Sequence, residues 1–274
     1  MKSKRRTNFI VGLISIVLGI IFISPFYIVI VNSFKTQKGI FSNVMGLPEE
    51  NFTLENYSGA FTKLDFFNSF KNSLIITVAS VVVIIIFTSM AAWILVRTKS
   101  KISTIIFLTF SAAMLIPFQS VMLPLVNIGG KLHLLNRPGL VFMYLGFGAP
   151  LSIVLYHGFI KSIPKEIEES ALIDGCNKFQ SFWLIVFPLL KPITVTVAIL
   201  NSMWIWNDFL LPQLVINRPE WQTIPLKMFY FFGQFSKRWD LALAGLIIAM
   251  IPIVIFYFIM QKHIIKGVMH GSIK

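Results

Sequence analysis

The chain has 274 residues, of which 56% are apolar and 13% charged, against about 45–50% and about 25% in an ordinary soluble domain. So little charge cannot cover the surface of one or two globular domains, and the mean hydropathy of +0.78 points to a membrane protein. One cysteine excludes a disulfide framework and any multi-cysteine metal site, while a net charge of +13 leaves nucleic acid to be decided by where the cations sit.

A helix crossing the hydrocarbon core needs about 20 apolar residues. Six stretches reach that length, at about 9–31, 74–96, 104–128, 140–160, 193–216 and 241–260. The first carries no charge in 23 residues, about 35 Å of helix. Its basic start (Lys2, Lys4, Arg5, Arg6) is that of a secretory signal, but the apolar run exceeds the usual 7–15 residues and leads into Asn32-Ser33-Phe34-Lys35 rather than a small-residue cleavage site. It therefore reads as a retained helix. The third span lies in the uncharged run 102–130, interrupted by Pro117 and Pro124. Prolines inside spans are tolerated, because neighbouring helices and water satisfy the freed carbonyls. The fold class expected is an all-α membrane protein of six transmembrane helices, with 1–274 as a single transmembrane domain.

Placing the N-terminus in the cytoplasm puts the cations at 2–6, 97–101, 161–191 and 262–274 inside, together 14 of the 24 Lys and Arg. The pair Lys237-Arg238 opposes this bias. The C-terminus then lies in the cytoplasm as well, and a cell membrane is the expected location. The cations flank spans, where they fix topology and meet lipid headgroups. No nucleic-acid partner is expected; membrane lipid is.

The loop 161–192, between the fourth and fifth spans, reads as helix, glycine turn, helix. Ser162 and Pro164 suit a helix start, and Glu166, Glu168 and Glu169 fall where the helix dipole favours anions. Ile167 and Ala171 share a face. Gly175 suits the left-handed position that stops a helix. Asn177 and Gln180 have capping-box spacing, ahead of an apolar stripe of Phe179, Phe182, Trp183 and Val186. Two readings stay open on these residues alone: an amphipathic loop lying on lipid, or a plug into a partner that approaches the small residues closely.

Glu169-Ser170-Ala171, Gly175, Ile185 and Pro188 match the E-A-A, three residues, G, nine residues, I-x-L-P signature of ABC importer permeases, with Ser170 for Ala and Phe187 for Leu. The rest of the chain resembles the carbohydrate-uptake branch, similar to the smaller permease of the maltose-type importer. The motifs that carry this are Asn32-Ser33-Phe34-Lys35, Phe52-Thr53-Leu54-Glu55-Asn56-Tyr57, Asn72-Ser73-Leu74, Ala91-Ala92-Trp93-Ile94-Leu95-Val96-Arg97 (Trp93 where Tyr is commoner), Trp206-Asn207, and Gln261-Lys262, Gly267, Gly271 and Lys274.

The resemblance implies a permease whose loop forms a coupling helix in a groove of an ATP-hydrolysing subunit. Glu169, Ser170, Ala171, Asp174 and Gly175 would sit in or beside that groove; Ile185 and Pro188 would brace the next helix. It also implies a second homologous permease, two ATP-binding subunits and an extracytoplasmic solute-binding protein. ATP and Mg would be bound by those partner subunits, with no cofactor and no catalysis in this chain. The sequence agrees, having no G-x-x-x-x-G-K-[ST] loop. His133, His157, His263 and His270 have no metal-ligand spacing.

For the solute path, Asp208 is the acid inside a span, an expensive placement that usually faces a cavity. On a continuous helix, Asn201, Trp204, Ile205 and Asp208 would share a face, and an aromatic plane beside polar groups suits a sugar; the resemblance implies an oligosaccharide. Packing or an aromatic belt explains the same residues. Loop 217–240 carries Trp221, Phe229, Tyr230, Phe231, Phe232, Phe235 and Trp239, either an interfacial segment or a binding-protein contact. The alternatives to sugar import are a polyol or glycerol phosphate permease of the same family, and an ion-coupled secondary transporter, against which the single intramembrane acid and lack of a repeat count.

Overall fold

The computed structural model describes residues 2–49, 51–232 and 237–272, with side chains for 8–49, 51–232 and 237–260. Expectations resting on the side chains of Lys2, Lys4, Arg5, Arg6, Phe235, Gln261, Lys262, His263, Lys266, Gly267, His270, Gly271 and Lys274 lie outside those described.

The helices in chain order are α1 (Lys2–Ser33), α2 (Gln37–Ser42), α3 (Glu55–Lys63), α4 (Phe66–Arg97), α5 (Lys101–Ala113), α6 (Phe118–Lys131), α7 (Arg137–Ile160), α8 (Glu166–Ile173), α9 (Lys178–Gln180), α10 (Phe187–Leu189), α11 (Lys191–Asn207), α12 (Leu210–Val215), α13 (Ile224–Met228) and α14 (Trp239–Ser272). No strand occurs among the described residues. Among the described residues, four helices are long and apolar enough to cross a membrane unbroken: α1, α4, α7 and α14. The third span is bent instead, with α5 and α6 meeting at 106°. Pro117, extended at φ −68° and ψ 140°, is the break; it has no N–H to continue the ladder. Pro124 is absorbed inside α6.

The fifth span also departs from a continuous helix over 193–216. It ends at Asn207, and α12 begins at Leu210. Asp208 turns extended, and its Oδ1 accepts the Leu210 N–H at 3.0 Å. A short acid competing for backbone N–H groups favours a helix end over a helix interior. At the other end, α11 meets the preceding helical run at 77°, and that run contains a π-helical stretch, Ser181–Val186.

The chain divides into two compact units. One comprises Met1–Phe66 and Lys227–Pro252, the other Phe67–Leu226 and Ile253–Lys274.

In the first unit, the two motifs after α1 form one knot. The Lys35 ammonium is buried and donates to Asn32 Oδ1 (3.1 Å) and Asn43 O (2.7 Å). Asn56 Nδ2 donates to the carbonyls of Ser33 and Lys35, and the Ser33 and Tyr57 hydroxyls share a 2.7 Å hydrogen bond. Phe34 stacks on Phe52 at 5.8 Å. A buried charge is tolerable only with such hydrogen bonding, which Asn32 and Asn43 supply for the Lys35 ammonium, while Ser33, Phe34 and the Lys35 carbonyl take partners from 52–57.

In the second unit, polar rungs join α7 to antiparallel α11 and the residue that ends it: Tyr156 to Thr194 (3.0 Å), Asn201 to Ser152 (3.1 Å) and Tyr144 to Asp208 (2.9 Å). Hydrogen bonds between membrane helices are worth about 0.6 kcal/mol each. Gly148 allows the close crossing; a Cβ there would lie 2.6 Å from Ile84 and 2.8 Å from Asn201. Asn136 opens α7 by capping Gly139 N–H at 2.9 Å. Loop 218–224 is fastened to α4: Asn72 Nδ2 donates to the carbonyls of Glu220 (2.8 Å) and Gln222 (3.0 Å), and Ser73 Oγ accepts Ile224 N–H (2.9 Å).

Candidate functional site: the loop between α7 and α11

The loop begins differently from the expected helix start. Ser162 does not cap; its hydroxyl donates to Phe159 O (2.7 Å), and α8 starts only at Glu166, past Pro164. Glu166, Glu168 and Glu169 occupy the first turn, as expected. At the other end, Cys176 N–H reaches Ala171 O (3.0 Å) and Gly175 N–H reaches Leu172 O (3.2 Å), the paired bonds of a Schellman stop. Gly175 sits at φ +92°. A Cβ at Gly175 would meet no atom within 4 Å, so glycine is required by the backbone conformation rather than by crowding. The capping box comes at once: Asn177 Oδ1 accepts Gln180 N–H, and Gln180 Oε1 accepts Asn177 N–H, both at 2.9 Å.

The two faces of α8 are opposites. Ala171 and Glu168 are buried, whereas Ile167, which the i, i+4 spacing pairs with Ala171, is exposed. A step of 100° per residue separates Glu168 from Glu169. Glu169 faces outward, where Lys165 Nζ donates to it at 2.7 Å. That hydrogen bond and charge hold the Glu169 carboxyl below its ordinary value and raise the Lys165 ammonium above its own. Ser170, Asp174 and Gly175 are exposed, and Ile173 is 86% exposed at the tip. Of the expected apolar stripe, Phe182 and Val186 are buried and Trp183 partly so, while Phe179 faces outward at 63% exposure. Ile185 is half-buried in the π-helical stretch, and Pro188 is an exposed residue of α10.

Inward, Glu168 has partners that the sequence alone does not assign. Arg97 Nη2 lies 2.6 Å from Glu168 Oε1, Arg97 Nε donates to the same oxygen (2.8 Å), and Trp93 Nε1 donates to Oε2 (2.9 Å). Arg97 also donates to Ile163 O at 3.0 Å, and the Trp93 ring packs on Phe182 at 5.1 Å. One signal in the sequence bears on this joint: Trp93 and Arg97 stand four apart on the last turns of α4 and so share a face.

Within the same unit, a cavity of about 930 Å³ is lined by α4 (Phe87, Thr88, Ala91), α5 and α6, α7 from Phe142 to Ile153, and α11 (Leu200, Asn201, Trp204). Asn201 and Trp204 both reach it. Asp208 does not share their helical face, because the helix has ended; it connects through Tyr144, whose hydroxyl donates to it and whose ring meets Trp204 edge-on at 5.5 Å. Both Asn201 amide protons are committed, to Ser152 Oγ and Val197 O.

Two guanidinium groups approach the Trp221 ring, Arg218 at 4.6 Å and Arg137 at 5.0 Å from its centroid. In the other unit, Phe229 and Tyr230 are exposed, whereas Phe231 is buried against Gly245.

Residues 84–270 match the family described as binding-protein-dependent transport system inner membrane component. The chain belongs to that family, and so is an integral membrane component of a multi-subunit ABC transporter. It is 50% identical over 274 residues, all of both chains, to the probable starch degradation products transport system permease protein AmyC of Thermoanaerobacterium thermosulfurigenes. It is 35% identical to the multiple sugar-binding transport system permease protein MsmG of Streptococcus mutans, over 100% of both chains. The melibiose/raffinose/stachyose import permease protein MelC of Bacillus subtilis is also 35% identical, over 99% of both. In fold, the chain matches a chain in the crystal structure of a bacterial ABC transporter involved in the import of the acidic polysaccharide alginate, with a TM-score of 0.82 and 22% identity, over 96% of this chain and 98% of that one.

Proposed function

We propose that this chain is one of two permeases in an ATP-driven importer of sugars, with oligosaccharides as the expected cargo, in a bacterial cell membrane with both termini in the cytoplasm. The exposed tip of α8 carries the reading. Among the described residues, Ile173, Asp174 and Gly175 are exposed while Glu168 fixes the same helix from behind. That arrangement suits insertion into a groove of an ATP-binding subunit, with Glu169, Ser170, Ala171, Asp174 and Gly175 in or beside it and Ile185 and Pro188 bracing the next helix. The chain itself needs no cofactor; ATP and Mg belong to two partner subunits.

ATP binding closes those subunits, and the seated helix passes the motion to the spans. A loaded extracytoplasmic binding protein favours the outward-facing state, with the exposed Phe229 and Tyr230 as its expected contacts. Each ligand must bind one state better than the other for transport to be driven. The names of the relatives support sugar as cargo. The cavity supports a bulky one, since about 300–1,000 Å³ is the usual range for ligand clefts and this one lies near the top. Its few polar positions, Thr88 and Asn201, beside the Trp204 ring suit passage rather than tight retention, and Asp208 holds that wall through Tyr144.

The test is uptake in a strain lacking this gene, across mono- and oligosaccharides. Restored uptake by the wild-type chain and not by Gly175→Asp, with equal membrane insertion, is the expected result. Full uptake with Gly175 and Glu169 both replaced rejects the coupling role.

A further inference from the structure

We infer that Glu168 is the joint through which the coupling helix moves the second span, with Arg97 and Trp93 as positioning residues for transport. The inference rests on the transport reading above and goes beyond it, because the covalent path from α8 leads back to α7 and on to α11, not to α4.

Four contacts carry it. Arg97 and Trp93 hold both oxygens of one carboxylate; Arg97 also holds Ile163 O in the linker ahead of α8, and Trp93 packs on Phe182 behind it. The end of α4 thus grips the coupling element before, within and after α8. The Arg97 and Glu168 side chains are 16% and 9% exposed, so water screens the pair little. A nearly buried, charge-assisted joint that engages both carboxylate oxygens resists shear better than apolar contact, which has no direction.

The position along α4 gives the joint its consequence. Phe87, Thr88 and Ala91 line the cavity, and Trp93 lies two residues beyond Ala91 on the same helix. A tilt of α8 is therefore delivered to the cavity wall through a hydrogen-bonded joint and one helix, the kind of packed path that carries coupling between sites. The outward face of α8, by contrast, is left entirely to the ATP-binding partner. Two adjacent glutamates divide the work, Glu169 toward the partner and Glu168 toward the cavity.

The experiment uses the complete transporter in proteoliposomes, with ATP hydrolysis and sugar uptake measured on one preparation, with and without loaded binding protein. Removing one charge strands the other, so the principal variant removes both: Arg97→Met with Glu168→Met. The expected result is normal co-purification of the ATP-binding subunits, ATP hydrolysis within about twofold of wild type, and uptake per ATP reduced at least tenfold. The exchange Arg97→Glu with Glu168→Arg recovers part of that ratio, and Trp93→Phe, which keeps the ring but loses the N–H, lowers it two- to threefold. Unchanged uptake per ATP in the assembled double variant overturns the inference while leaving the transport reading intact. So does a loss of uptake that only tracks reduced assembly. A wild-type complex that hydrolyses ATP without moving sugar overturns the transport reading itself, and this inference with it.

Discussion

The tip and the root of α8 are built from the same few residues of chain and have opposite surroundings. The tip ends in an 86%-exposed Ile173 and a glycine with open space beside it; the root buries a carboxylate between an arginine and an indole. Apolar and charged residues have exchanged their usual places. On the proposed reading a partner subunit covers the exposed isoleucine, while the buried glutamate is held by a neighbouring span. A coupling element needs both: a surface that another subunit can cover and a mount that does not yield when it does.

Substitutions at the two ends should therefore part stability from transport, and the largest effect belongs at the root. Glu168→Ala leaves Arg97 nearly buried without its partner, a loss of about 3–5 kcal/mol, seen as a lower unfolding temperature of the detergent-purified permease. Glu169→Ala, one residue away and exposed, should leave that temperature unchanged. Equal effects at the two glutamates would erase the distinction between tip and root.

The next effect lies at the tip. Ile173→Asp should leave the permease's unfolding temperature unaltered but reduce co-purification of the ATP-binding subunits by at least fivefold. Smaller still, Gly175→Ala introduces a side chain at φ +92°, a strain of about 1–2 kcal/mol confined to the turn. Uptake should fall severalfold, with Gly175→Asn milder because asparagine tolerates left-handed backbone. Smallest, Asn177→Ala removes a cap worth about 1 kcal/mol. Hydrogen exchange should rise at Gln180 with uptake barely altered.

The turn chemistry is legible in the sequence because it is local. Gly175, Asn177 and Gln180 carry their own instructions, and the Schellman stop and capping box fall where their spacing puts them. The four unbroken apolar helices, α1, α4, α7 and α14, are legible for the same reason, each being long enough to announce itself. The illegible parts depend on residues far apart in the chain. Arg97 reads as a topology-setting cation until α8 folds back on it, 71 positions later. Lys35 reads as an outer-loop charge until Asn32 and Asn43 enclose it. Asp208 misleads in a different way: a helical period carried through it ignores that this acid terminates the helix by accepting Leu210 N–H. Pro117 marks a bend that hydropathy does not show, since a missing donor within a span needs a compensating partner that no pattern of hydropathy supplies.

The Gly175–Asn177 turn has one further consequence. Gly175 and Cys176 complete the stop of one helix, and Asn177 already begins the next. No residue is spare. A single inserted amino acid would either break the stop or rotate everything downstream by about 100°, swinging Phe182 away from Trp93. Insertions that an ordinary surface loop absorbs should abolish uptake here, so the spacing of this segment is as much a part of its specification as the identity of its side chains.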